Sequence, residues 1–146
     1  MPRARVALLV PVLFAAALAA QTPAPSHPDP GIPRNLKTYF VGLLVRGVNY
    51  AQPRTPEERD QQLRRHRAYI RSQIETGNYL IAGPFLDDGP VRGIVVIQAA
   101  SAEAAKRIAD ADPLVQSGLL AAEIHPAMLP DLAPLRVDYP KEEVSH

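Results

Sequence analysis

Two side chains in this sequence have the type and setting for proton transfer. The first is His66, in "LRRHRAYI", where Leu63, His66, Ile70 and Ile74 follow at steps of three, four and four and so share one face of a helix. An imidazole on such a face can be a core histidine bonded to a backbone carbonyl. It can also be a general acid or base, whose second nitrogen then needs an orienting partner. The second is Asp112, in "DADPLVQSG" from Asp110 to Gly118. Asp followed by Pro is a helix start in which the carboxylate accepts from the amides of the first turn. The same carboxylate has lone pairs enough to accept from an imidazole N–H as well. Taken singly, core histidine and helix cap are the plainer roles. Asp110 reads as a surface residue near a helix end.

Other constellations are weak. The four histidines, His27, His66, His125 and His146, have no metal-ligand spacing, so no metal is expected. "GNYLIAGP" lacks the spacing and the lysine of a phosphate loop, there is no G-x-S-x-G elbow, and no cofactor is implied. Arg64, Arg65 and Arg67 point away from the His66 stripe and have Glu57, Glu58, Asp60 and Glu75 for company, which describes a solvated face.

The elements that must position these groups are marked by local signals. "KTYFVGLLV", Lys37 to Val45, is a strand apolar on both alternations, so both of its faces need cover. Thr55 as N-cap, Pro56 in the first helical position, Glu58 three residues after the cap and a stop at Gly77 define a helix. "YLIAGPF" (Tyr79 to Phe85) is a short strand, "DDGP" a turn and "VRGIVVIQ" (Val91 to Gln98) a β-branched strand. Ser101 caps a second helix, "AEAAKRIADAD", and a last strand runs from about Leu120 to Met128. The order β-α-β-β-α-β predicts an α+β ferredoxin-like sandwich, with two helices on one face of an antiparallel sheet. Because the first strand is apolar on both sides, the open sheet face is expected to meet a second copy and form a homodimer.

The ends differ in composition. Arg3 and Arg5 precede an apolar run from Val6 to Ala20 that ends small-x-small, the pattern of a cleavable signal peptide over residues 1–20. That run falls short of the roughly 20 residues of a membrane span. With no cysteine there is no lipid attachment site and no disulfide, so the mature protein is expected to be secreted or periplasmic, without a stable membrane anchor. Loss of Arg3 and Arg5 leaves 14 basic against 15 acidic residues, a net charge of −1, which argues against a nucleic-acid partner. Five prolines between Pro23 and Pro33 make residues 21–36 an extended linker, and residues 131–146 form a flexible tail around one domain at 37–130.

His66, "GNYLIAGPF" and "SAEAAKRIADADPLVQSGLLAAEIHPAM", in that order, resemble the YciI-like (YCII-related) family of the dimeric α/β-barrel superfamily. The likeness covers about Lys37 to Leu129. It implies the ferredoxin-like dimer and a histidine-aspartate pair in a cleft by the sheet, which fall here on His66 and Asp112. Related members include an enzyme acting on chlorinated hydroxyquinols, and more distant relatives include muconolactone isomerases. This chain departs from the family in its export signal, its Pro-rich lead, its tail and the longer loop "GVNYAQPRTPEE".

The expectation is therefore a small-molecule enzyme of lyase, isomerase or hydrolase type. His66 moves a proton on a small cyclic or phenolic substrate while Asp112 orients the imidazole. Tyr39 and Arg46 are expected to anchor a substrate anion, and Gly83 and Pro84 to shape the wall. The alternative is a non-catalytic extracytoplasmic module that binds a small ligand on the same fold. An imidazole nitrogen within about 3.5 Å of an Asp112 oxygen, beside a cavity, distinguishes the first from the second.

Overall fold

The computed structural model describes residues 35–140. The expected signal segment, and all of the linker except its last two residues, lie outside the described residues. The elements are β1 (Lys37–Arg46), α1 (Pro56–Glu75), β2 (Tyr79–Pro84), β3 (Val91–Ile97), α2 (Ala102–Asp110), α3 (Pro113–Gln116) and β4 (Leu120–Leu129). The strands form one sheet in the order β2-β3-β1-β4 with every pair antiparallel, which is the ferredoxin-like arrangement. A third, one-turn helix is added to the two expected, because Pro113 and the Asp112 cap start a new turn just after α2 ends at Asp110.

Local chemistry accounts for the boundaries. α1 begins with a complete capping box, Thr55 accepting from the Glu58 amide and Glu58 accepting from the Thr55 amide, with Pro56 in its first turn. It stops where Gly77 takes φ +78°, a conformation that only glycine adopts without strain. Ser101 caps α2 through the Ala104 amide.

Strand alternation divides the sheet between two environments. Phe40 and Leu44 of β1, Val95 and Ile97 of β3, and Leu120 and Ala122 of β4 face the helices and pack with Ile70, Tyr79, Ala105, Ala109 and Leu114 in the core. The opposite face carries Val41, Leu43 and Val45 from β1, paired in turn with Val96, Ile94 and Val91 from β3. No helix of the described residues covers this second face, and Ile81 beside it on β2 is 38% exposed.

One close approach positions the residues discussed below. A Cβ on Gly47 would sit 2.3 Å from the Gly118 carbonyl oxygen, so the end of β1 can lie against the turn after α3 only without a side chain. Gly47 N–H donates to the Leu119 carbonyl and Asn49 N–H to the Gly118 carbonyl, which ties the β1–α1 loop to that turn.

Candidate functional site

Asp112 lies between the ends of α2 and α3, and it alone is polar among the described residues that pack in the buried core, at 1% exposure. A buried carboxylate is costly unless its oxygens are satisfied. Both of them are: Oδ1 accepts from the Leu114 amide at 2.8 Å, the expected helix cap, and Oδ2 lies 2.7 Å from Nδ1 of His66. One residue fills both roles, because its two oxygens point in different directions.

His66 reaches Asp112 from the inward face of α1, 46 residues away in sequence. An acceptor-only carboxylate at Nδ1 places the ring proton there and leaves Nε2 with a free lone pair. His66 also lines a cavity of about 190 Å³ together with Leu44, Leu63, Ile70, Val95 and Leu120. Gly83, Pro84 and Arg92 from β2 and β3 and Tyr139 from the C-terminal segment also line it, as does Arg67 of α1, which the helix pattern alone assigned to a solvated face.

The structure thus brings His66, Asp112, Gly83 and Pro84 to one place, and it puts Tyr39 and Arg46 elsewhere. Tyr39 projects from the face of β1 opposite the helices, where its hydroxyl accepts from the Leu132 amide at 2.9 Å and faces Asp131 at 3.4 Å. Arg46 is exposed at the far end of the strand, donates to the Asp88 carbonyl at 2.7 Å and lies over the Tyr50 ring at 4.9 Å. An odd and an even position on one strand face opposite sides, which directs these two side chains away from each other.

Two cavity residues carried no sequence signal as ligands. Arg92 sits inside a β-branched run, with its guanidinium held by the Asp87 and Gly89 carbonyls at the turn. Tyr139 belongs to the segment read as tail, which is fastened at both ends of its described part. Lys37 Nζ pairs with Asp131 at 2.6 Å, which holds the Asp131 carboxyl below the usual carboxylate range. Arg71 donates to the Pro140 carbonyl at 3.2 Å, and Tyr139 packs against the core beside Ile70.

Asp112 also bears on the two phenols packed near it. Burial, assisted by the negative charge of Asp112, raises the phenol of Tyr69 above its ordinary value. Burial, then Tyr69 and Asp112, does the same to Tyr79 more strongly. The two rings pack edge to face with centroids 6.4 Å apart. Among the described residues no group of three or more His, Cys, Asp or Glu could hold a metal ion.

The model of the YCII-related domain matches residues 44–126, more than half of the chain. This protein belongs to the YCII-related family. The matched region contains His66, Gly83, Pro84, Arg92 and Asp112, while Tyr139 lies beyond its end. No curated protein matches the sequence. Among solved structures, this YCII-related chain is similar to the 5-chloro-2-hydroxyhydroquinone dehydrochlorinase of Burkholderia phenoliruptrix AC1100, determined in complex with 2,5-dihydroxybenzoquinone. Identity is 16%, the alignment covers 61% of this chain and 91% of that one, and the TM-score is 0.44.

Proposed function

We propose that this YCII-related protein is a small-molecule enzyme in which His66 and Asp112 are an acid-base pair acting on a small cyclic or phenolic substrate. The observation that carries the reading is the 2.7 Å contact between His66 Nδ1 and a fully buried Asp112, at the wall of a cavity. A histidine sealed in the core without a carboxylate would have favoured a binding module. The cavity volume of about 190 Å³ suits a single substituted ring, since apolar cavities of about 150 Å³ already admit benzene.

In this reading Nε2 of His66 takes a proton from a substrate hydroxyl or an acidified C–H. The imidazolium formed is stabilised by Asp112 through the Nδ1–H bond. Return of the proton to another carbon gives isomerisation, and departure of a leaving group with the electron pair gives elimination. Tyr139 and Arg92 are in place to hold polar substituents of the ring.

The pair is tested directly by ¹⁵N NMR of the imidazole above its titration range. The expected spectrum has His66 as the Nδ1–H tautomer in the wild type, with the preference lost in Asp112→Asn, whose amide can itself donate. An Nε2–H tautomer in the wild type would exclude Nε2 as the base.

We also propose that two copies associate through the sheet face bearing Val41, Leu43, Ile94 and Val96. It is apolar at its centre and no described helix covers it. Light scattering at micromolar concentration should give a dimer mass, and Leu43→Glu should give a monomer that keeps its fold. A wild-type monomer would rule the interface out.

A further inference from the structure

Residues 131–140 leave β4 without forming a helix or strand and carry one side chain back to the His66 cavity. From Ala133 to Pro140 every residue is exposed except Tyr139, which packs against the core and shares the cavity wall with His66, Gly83 and Pro84. The rest of that wall comes from α1 and the four strands, so Tyr139 is the part of it that the ferredoxin-like frame does not supply.

The fastenings of this segment lie at its ends. At the start, Asp131 pairs with Lys37 at 2.6 Å and the Leu132 amide donates to the Tyr39 hydroxyl at 2.9 Å. At the other end, Arg71 Nη2 donates to the Pro140 carbonyl at 3.2 Å in an exposed bond. Between them, the hydrogen bonds among the described residues are internal to the segment: the Leu135 amide donates to the Leu132 carbonyl, and Arg136 to the Ala133 and Leu135 carbonyls. The middle also stands off the domain. A cavity of about 460 Å³ lies between Leu135, Arg136 and Val137 on one side and Ile74, Tyr79 and Gln98 on the other, and Leu135 and Val137 stay 42% and 38% exposed. A segment held by exposed bonds and little buried apolar surface opens at a lower free energy than the helix and sheet it lies against.

We propose that residues 132–140 are a strap over the His66 cavity. With Tyr139 seated the cavity is closed, and a ligand reaches His66 when Tyr139 and the Arg71–Pro140 bond release together. Asp131, tied to Lys37, stays in place as the hinge. Closure of this kind suits acid-base chemistry, because a phenol ring seated over the ligand keeps water from the imidazole. The inference rests on the proposed function only in taking the His66 cavity as the ligand's site. It concerns access and not proton transfer, so a measurement of access tests it whether or not His66 is a base.

The test is the rate at which diethyl pyrocarbonate acylates His66 in the full chain, read by mass spectrometry of the peptide that carries it. The reagent needs a neutral imidazole nitrogen with an available lone pair, and the exposed His125 reports reagent strength in each sample. When opening and closing are fast relative to labelling, the rate follows the open population. Arg71→Met removes the far fastening, leaves Tyr139 in place and should speed labelling about two- to fivefold, the population shift that one exposed hydrogen bond supplies. Tyr139→Ala should speed it by at least about tenfold, and Tyr139→Phe should label like the wild type because the ring does the closing. The proposal is overturned if Arg71→Met labels His66 at the wild-type rate, which would make Tyr139 a fixed wall, or if Tyr139→Ala does, which would mean that the segment does not limit access. It is equally overturned if faster labelling only tracks a lower urea midpoint, since His66 would then be reached through unfolding of the whole domain.

Discussion

Asp112→Ala is expected to lower stability by about 2–4 kcal/mol, made up of about 1 kcal/mol for a lost helix cap and about 1–3 kcal/mol for a buried imidazole N–H left unpaired. For a domain of this size that is a fall in Tm of about 10–15 °C. Asp112→Asn retains an oxygen for the Leu114 amide, so it should lose less. The coupling is read by repeating Asp112→Ala in a His66→Ala background, where only the cap remains to be lost and the cost should fall to no more than about 1 kcal/mol. Urea unfolding of the four proteins measures this cycle. Equal costs in both backgrounds would mean that the 2.7 Å contact contributes nothing and that Asp112 is a cap alone.

The second expected result is kinetic. On any ring substrate that the protein turns over, His66→Gln should reduce kcat/KM by about 10²–10⁴-fold, the usual share of a positioned general acid or base, with the fold intact by circular dichroism. The loss should fall on kcat, because the apolar wall formed by Leu44, Leu63, Ile70, Val95 and Leu120 still receives the ring. Asp112→Asn should lose activity without moving any atom that touches substrate. The double variant should be little worse than His66→Gln alone, since the two residues act as a unit. Full turnover by His66→Gln would end the acid-base mechanism.

These two results bear on different links of the same chain of cause. The first asks whether packing a carboxylate at 1% exposure is tolerated because the histidine and the cap satisfy it. The second asks whether the polarisation that follows is used on a substrate. Asp112 could pass the stability test and fail the kinetic one, which would leave a YCII-related binding module with a structural His-Asp pair.

The sequence by itself determined the order of elements, because their boundaries depend on neighbours within a few residues. Thr55 with Glu58, Ser101, Asp112 before Pro113 and Gly77 at positive φ each act within one turn, and all appear in the structure at the residues that predict them. The inward stripe of α1 was equally legible, and with it the side of the molecule on which His66 lies. Period-two alternation also sufficed to separate Tyr39 from Arg46, although their polar groups suggested a shared anion site.

Only the tertiary structure decided what meets what. That Asp112 divides its oxygens between a cap and His66 depends on how α1 crosses α3, and no local rule specifies that contact across 46 residues. Tyr139 reaches the same cavity from a Pro-rich segment with no periodicity. Caps and turns are written in adjacent residues because their hydrogen bonds close within one turn of chain. A cavity is the space left between surfaces that are distant in sequence, so it exists only after the chain has packed.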